Sequence, residues 1–322
     1  MPKQTDGFKP MQPCDYMKEL LKFPLIAQAK LDGVASINRH GVLLGRSLKQ
    51  HENEYTTKLF SNLLYHGLCG EMTLDNKVTG DDLCRLTSGA LRRIKGEPKM
   101  QWNIFDYCTD ENKHLPYIER FAQAKSLVDA LNNPDITMID YCWIHSQEEL
   151  DDYETYLLDL GYEGVIVRDH LADYKYGRCG KTHRGAWRIK AFIEEEILCS
   201  SIEEGVTNNN ESKVNELGRS ERSTHQENLA PNGTVGSIKG TLIKDVLDPQ
   251  SRKLLVPKGT LITVGPGNMS HIDREYYFKN QHEIVGKVVK FKMFPKGIKD
   301  TVRFPTFVTI KNDNDTEDMP EW

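Results

Sequence analysis

The chain has no apolar run of about 18 residues, so no membrane-spanning helix is expected. Its opening stretch, MPKQTDGFKPMQPCDYMKEL, has no apolar segment of the signal-peptide kind, and no secretory leader is expected. Cysteine is sparse and odd in number: Cys14, Cys69, Cys84, Cys108, Cys142, Cys179 and Cys199. No two of them form a C-x-x-C pair. That sets aside a zinc module and a disulfide framework and fits a reducing cytoplasm. Internal repeats are missing too, which sets aside solenoids and propellers. Positive charge is in overall deficit, with 42 Lys and Arg against 47 Asp and Glu, a net of -5. A net acidic chain speaks against a nucleic-acid partner until the distribution is read. From Arg168 to Lys190 seven Lys and Arg stand against two Asp, and from Lys287 to Arg303 six stand against one. Two basic segments on an acidic body are suited to following a phosphate backbone.

At 322 residues the chain has room for two domains. The first part reads as mixed α and β. Val34–Asn38 and Val42–Leu44 flank Arg39-His40-Gly41 as a hairpin, and Leu68–Leu74 and Trp102–Tyr107 read as strands. Ile118–Leu131 and Glu148–Leu160 have helical periodicity and end at Asn132-Asn133-Pro134 and at Gly161. Gly164–Val167 is a short apolar strand. Glu203–Gly233 is polar, with few large apolar residues, and is expected to be a long loop. Beyond it Val235–Ile243, Leu254–Val256, Thr260–Val264, Val285–Phe294 and Thr306–Ile310 are separated by Gly and Pro turns. Short strands in that number suggest a small barrel of OB type. The boundary is placed at 192/193, and the acidic tail Asn312–Trp322 is expected to be loosely held.

Lys30-Leu31-Asp32-Gly33 closes the apolar stretch Phe23–Ala29. A lysine attacks a phosphorus centre only as the neutral amine. At an ordinary pKa of ~10.4 that form is roughly 0.04% at pH 7, a deficit of about 4.6 kcal/mol. A site that uses it gathers cations or excludes water. K-x-D-G alone is a weak signal, and its bland alternative is a surface lysine before a turn. Other residues strengthen it. Glu71 and Glu163 sit among strand-like apolar neighbours and offer the hard oxygens that magnesium takes one or two of. Phe105 lies on a strand where it is able to stack on a purine. Arg46, Arg168, Arg188 and Lys190 suit phosphate, and Arg188 and Lys190 share a strand face by period two. In the second basic segment Lys287, Lys290, Lys292, Lys296 and Arg303 are the candidate DNA contacts.

Taken in order, these residues resemble the covalent nucleotidyltransferase superfamily, and within it the small ATP-dependent DNA ligases of bacteriophages. Lys30-Leu31-Asp32-Gly33, Gly45-Arg46-Ser47, Cys69-Gly70-Glu71-Met72, Phe105-Asp106-Tyr107, Glu163–Arg168 and Trp187-Arg188-Ile189-Lys190 are similar to its successive motifs. Leu217–His225, Gly233–Gly236 and Phe294–Phe307 are similar to the second domain of phage ligases, so the likeness spans nearly the whole chain. The resemblance implies an α+β fold: an adenylyltransferase (ATP-grasp-like) domain over 1–192, then a C-terminal OB-fold β-barrel over 193–322 that binds DNA. It implies that Lys30 takes AMP from ATP and that the AMP passes to the 5′-phosphate of a nick. The 3′-hydroxyl then seals the strand, as replication, repair and recombination require. It places Gln28, Ala29, Arg46, Glu71, Phe105, Arg168, Arg188 and Lys190 around the nucleotide, and Mg2+ at Glu71 and Glu163. It implies a monomer acting on nicked duplex DNA in the cytoplasm, that of the host cell if the chain is phage-encoded.

The chain departs from the family at two positions. Ala35 stands two residues after the motif glycine, where arginine is common, and Arg168 stands where lysine is usual. Alternatives sharing K-x-D-G chemistry are an RNA ligase and a capping-type guanylyltransferase. A degenerate DNA-binding clamp without catalysis is the non-enzyme alternative, suggested by Ala35.

Overall fold

A computed structural model describes residues 7–311 except 81, 181, 182, 184, 191, 249–251, 268, 296, 297, 299 and 300. The expectations on Lys296 and on the tail 312–322 lie outside the described residues. The chain divides into two compact units, Met1–Lys190 with Val214–Arg219, and Ala191–Lys213 with Ser220–Trp322.

The first unit runs β1 (Cys14–Asp15), β2 (Leu25–Lys30), β3 (Val34–Arg39), β4 (Val42–Gly45), α1 (Glu54–Phe60), β5 (Leu68–Leu74), α2 (Leu83–Arg92) and β6 (Met100–Tyr107). It continues with α3 (Tyr117–Leu131), β7 (Ile136–Met138), β8 (Tyr141–Ile144), α4 (Gln147–Asp159), β9 (Gly164–Arg168) and β10 (Trp187–Lys190). Two five-stranded sheets result, ordered β1-β10-β9-β2-β8 and β4-β3-β5-β6-β7. Side-chain alternation gives each sheet an apolar outer face. In the first, Leu25, Ala27, Val165, Val167, Trp187 and Ile189 pack with Leu150 and Leu157 of α4. In the second, Leu68, Met72, Trp102 and Ile104 pack with Phe60, Leu91, Ala124 and Val128 from α1, α2 and α3. Trp102 and Trp187 are fully buried, each contributing roughly 2–3 kcal/mol. The other faces hold the polar residues. Asn53 and Ser146 cap α1 and α4 through their side chains, as short polar residues do where the first N–H groups lack partners.

The second unit runs β11 (Ile193–Asn208), β12 (Ser212–Val214), β13 (Ser220–Arg222), β14 (Leu229–Leu242), β15 (Val246–Leu247), β16 (Leu254–Val256), β17 (Leu261–Val264), α5 (His271–Lys279), β18 (Val288–Phe294) and β19 (Arg303–Ile310). Its main sheet is β17-β14-β11-β18-β19, antiparallel between neighbours. The edges β17 and β19 approach at one parallel bridge, Gly265 with Thr306. There Phe307 N donates to Gly265 O at 2.9 Å and Gly265 N to Pro305 O at 3.0 Å. Closure rests on this bridge and not on a full ladder, the partly open barrel of an OB-fold. Val235, Ile238, Ile262, Val289, Phe291 and Met293 fill it. The α+β class, with a mixed unit before a small barrel, is as expected.

The polar segment 203–233 departs from expectation. It is strand-rich: β11 continues to Asn208 and β14 starts at Leu229, with β12 and β13 between. These strands leave the barrel and expose both faces, so no alternation of burial marks them; Val206 is 55% exposed. Amides hold them instead. Buried Asn210 donates through Nδ2 to Ser223 O and His225 O at 2.9 Å and accepts from Asn228 Nδ2 at 3.1 Å.

Candidate active site

Strand β2 puts Lys30, Gln28 and Ile26 on its inner face. Ala29 packs with the apolar core on the opposite face, so its side chain does not reach the site and only its backbone is available there. In the sheet Lys30 and Lys190 both pair with Gly164, which brings two distant amines to one point. Glu163, just before β9, donates its N–H to Lys30 O at 3.1 Å. Its carboxylate bridges the amines, Oε2 to Lys30 Nζ and Oε1 to Lys190 Nζ. Burial pushes this carboxyl up, but Lys30 and Lys190 outweigh burial and hold it below its ordinary range.

Two glycines make this approach possible. A Cβ at Gly164 would lie 2.2 Å from Ile189 O on β10, so any side chain there pushes β10 from β9 and moves Lys190 away from Lys30. A Cβ at Gly33 would lie 2.3 Å from Met72 O and 2.8 Å from Glu71 Cγ. The glycine of K-x-D-G therefore serves close packing against β5, which brings Glu71 close to the end of β2 that carries Lys30.

Glu71 is on the inner face of β5, opposite Ala35 of β3. Burial pushes its carboxyl up to about 8, with Glu163 and Asp32 adding to the rise and Lys30 and Arg46 opposing it. Arg46 follows β4 and is exposed. Arg39 does not stand in for an arginine at position 35. It is 5% exposed, its guanidinium lies 4.2 Å over the Phe8 ring, and Nη1 donates to Cys108 O at 3.3 Å.

The raised Glu71 pKa carries a stability prediction. A carboxyl whose pKa is higher in the folded than in the unfolded state loses its contribution as pH rises from the unfolded to the folded value. For Glu71 the window is from 4.5 to about 8. Between pH 5 and 9 the unliganded protein should lose on the order of 2 kcal/mol more stability than Glu71→Gln, roughly 4–8 °C in Tm. Parallel melting curves at the two pH values check it; equal slopes would remove Glu71 as the cause.

Phe105, at the β5–β6 bulge, has the Arg168 guanidinium 5.4 Å from its ring. Arg168 is 5% exposed, with Nη1 3.5 Å from Asp106 Oδ2 and a buried Nε that has no hydrogen-bond partner among the described residues. Asp106 also takes Arg120 in a two-point pair, Nε to Oδ1 at 3.0 Å and Nη2 to Oδ2 at 3.2 Å. Tyr117 of α3 directs its hydroxyl to Gln28 Oε1 at 2.8 Å and Phe105 O at 2.9 Å. Gln28 Nε2 donates to Ile139 O at 3.0 Å. Both ends of the Gln28 amide are thus engaged within the protein. Arg188 Nε donates to Asp15 Oδ1 at 2.7 Å. The structure brings Lys30, Glu71, Glu163 and Lys190 together, with Arg46 near Glu71, and groups Phe105, Arg168 and Gln28 around Tyr117 and Asp106.

The fold is similar to that of solved DNA ligases. Chlorella virus DNA ligase-adenylate is 24% identical, over 95% of this chain and 99% of that one, with a TM-score of 0.51. Pmar-Lig is 20% identical over 94% and 67%, with a TM-score of 0.66. A Lig E DNA ligase is 17% identical over 94% and 99%, with a TM-score of 0.63. At these identities the likeness is one of fold. No protein-family model and no curated protein matches the chain.

In the second unit, Lys290 and Lys292 stand on the outer side of β18 and Arg303 begins β19. The Arg303 guanidinium lies over the Phe294 and Phe304 rings at 5.4 and 5.3 Å. Lys287 precedes β18, its carbonyl accepting from Cys199 N at 2.9 Å. Sequence reasoning missed Tyr117, Arg120 and Asp15. Arg120 left a signal: it falls in the helical stripe of Tyr117, Phe121, Ala124 and Val128, where an arginine is out of place unless paired.

Proposed function

We propose that this chain is an ATP-dependent DNA ligase that seals nicks in duplex DNA through a lysyl-AMP intermediate on Lys30. Met1–Lys190 is its adenylyltransferase domain and the barrel its DNA-binding domain. The observation that carries the proposal is the convergence of Lys30, Lys190, Glu163 and Glu71 on the inner face of a ligase-like fold.

In the first step the Lys30 Nζ lone pair attacks the α-phosphorus of ATP. The ammonium first gives up one proton to solvent; a nitrogen–phosphorus bond then forms as the bond to pyrophosphate breaks. Glu163 holds the Lys30 amine through Oε2. Lys190, sharing that carboxylate, competes for it and lets Lys30 turn to the phosphate, with Arg46 and Lys190 offsetting the triphosphate charge. Arg168, beside Phe105, brings positive charge to the platform on which the purine stacks. Glu71 and Glu163, close enough to act on one another, are the donor set of an ion that takes one or two carboxylates and completes its shell with phosphate and water. Magnesium held by Glu71 and Glu163 would supply neutralisation of the triphosphate. AMP then passes from Lys30 to a 5′-phosphate, freeing the amine, and the adjoining 3′-hydroxyl displaces AMP as the phosphodiester forms. Among the described residues no helix is long and apolar enough to cross a membrane.

Incubation with magnesium and ATP labelled at the α-phosphate tests this. An acid-labile label on the protein, discharged by nicked duplex DNA and not by nicked RNA, is the expected result. No label, or discharge by RNA alone, would overturn it.

A further inference from the structure

The outer face of β11, β18 and β19 alternates in charge. Glu194 stands opposite Lys292 and Glu196 opposite Lys290 across β11 and β18. On the other side of β18, Lys290 and Lys292 face Thr309 and Thr306. Lys290 Nζ is paired with Glu194 Oε2, Lys311 Nζ lies 2.6 Å from Glu196 Oε1, and Lys292 Nζ sits 5.5 Å over the Phe192 ring. The lysines read from the sequence as a track for phosphates thus share their face with carboxylates from another part of the chain. Three positive charges meet two negative ones.

Solvent-accessible pairs of this kind add little to folding. Their larger effect is on a polyanion, because a lysine already holding a carboxylate has less to gain from a phosphate. We propose that Glu194 and Glu196 form an electrostatic counterweight that limits how tightly this face holds the phosphate backbone of duplex DNA. The inference rests on the DNA-ligase reading. Phosphates engage Lys290 and Lys311 by displacing the two carboxylates. The sequence-independent hold is thereby weakened, and with it the retention of intact duplex, which offers phosphates alone.

The test is equilibrium binding of the full chain to nicked and to intact duplex DNA of equal length, between about 50 and 200 mM salt, for the wild type and Glu194→Gln/Glu196→Gln. The variant should bind both DNAs about tenfold tighter near 100 mM salt. Its log-log salt slope should steepen by roughly 0.9 for each lysine released, about 2 in all. Salt-dependent binding by the wild type that the variant leaves unchanged, or weakens at an unchanged melting temperature, would overturn this inference alone. No binding by either protein would overturn the ligase reading and the inference with it. If the double variant melts early, Glu194→Gln, at a side chain 48% exposed, carries the same test with half the slope change.

Discussion

Lys30→Ala takes no acid-labile label from ATP labelled at the α-phosphate, a loss on the order of 10³-fold or more. The size follows from what is removed. No other amine among the described residues sits where Lys30 does, on the inner face of β2 against Glu163. The nearest, Lys190 Nζ, is held by the second oxygen of the same carboxylate and extends from β10, one strand beyond β9. A label that survived Lys30→Ala would mean that the nucleophile is wrongly assigned. Lys190→Ala separates two roles. It leaves Lys30 in place but gives Glu163 wholly to Lys30, so labelling falls by roughly tenfold. Melting curves guard against a folding defect. Equal labelling by Lys190→Ala and wild type would remove Lys190 from the first step.

Asp106→Ala loses about 3–5 kcal/mol of stability, roughly 6–20 °C in Tm. Asp106 and Arg120 are each 1% exposed, and Arg168 leans on the same carboxylate. Removing one carboxylate leaves two buried guanidinium groups without their anion. Arg120 keeps hydrogen bonds to Leu115 O at 2.6 Å and Ala172 O at 3.0 Å, but carbonyls do not cancel a full charge. Arg120→Met is the milder change, because Arg168 then remains with Asp106. A loss below about 1 kcal/mol for Asp106→Ala would show that water reaches these guanidinium groups and that the pair is not a buried one. The charges lie beside Phe105, so weaker ATP labelling by Asp106→Ala with Lys30 intact is expected to accompany the loss.

Much was legible in the sequence, for identifiable reasons. Strand β4 and helices α3 and α4 carry one buried face each, and burial on one face writes a period into the residues; β3 and β5 are buried on both faces and read as short apolar runs bounded by turn residues. The long polar strands of 193–242 carry little such period because hydrogen bonds, and not a core, hold their outer halves. The candidate site was legible as residue types in order, since the chemistry of phosphate needs an amine, carboxylates and cations whatever the fold.

By itself, then, the sequence determined that an amine at Lys30 comes with carboxylates and cations suited to phosphate chemistry, and that a mixed unit precedes a small barrel. The tertiary structure decided which of them meet. It bridges Lys30 to Lys190 through Glu163, turns Ala29 away, and encloses Arg39 and the Gln28 amide in local contacts. It also sets Glu194 and Glu196 against Lys290 of β18 and Lys311, which follows β19. The physical reason is strand register: which side chains share a point depends on pairing between segments more than a hundred residues apart. No local pattern records it, although the glycines at 33 and 164 mark where backbones must approach closely.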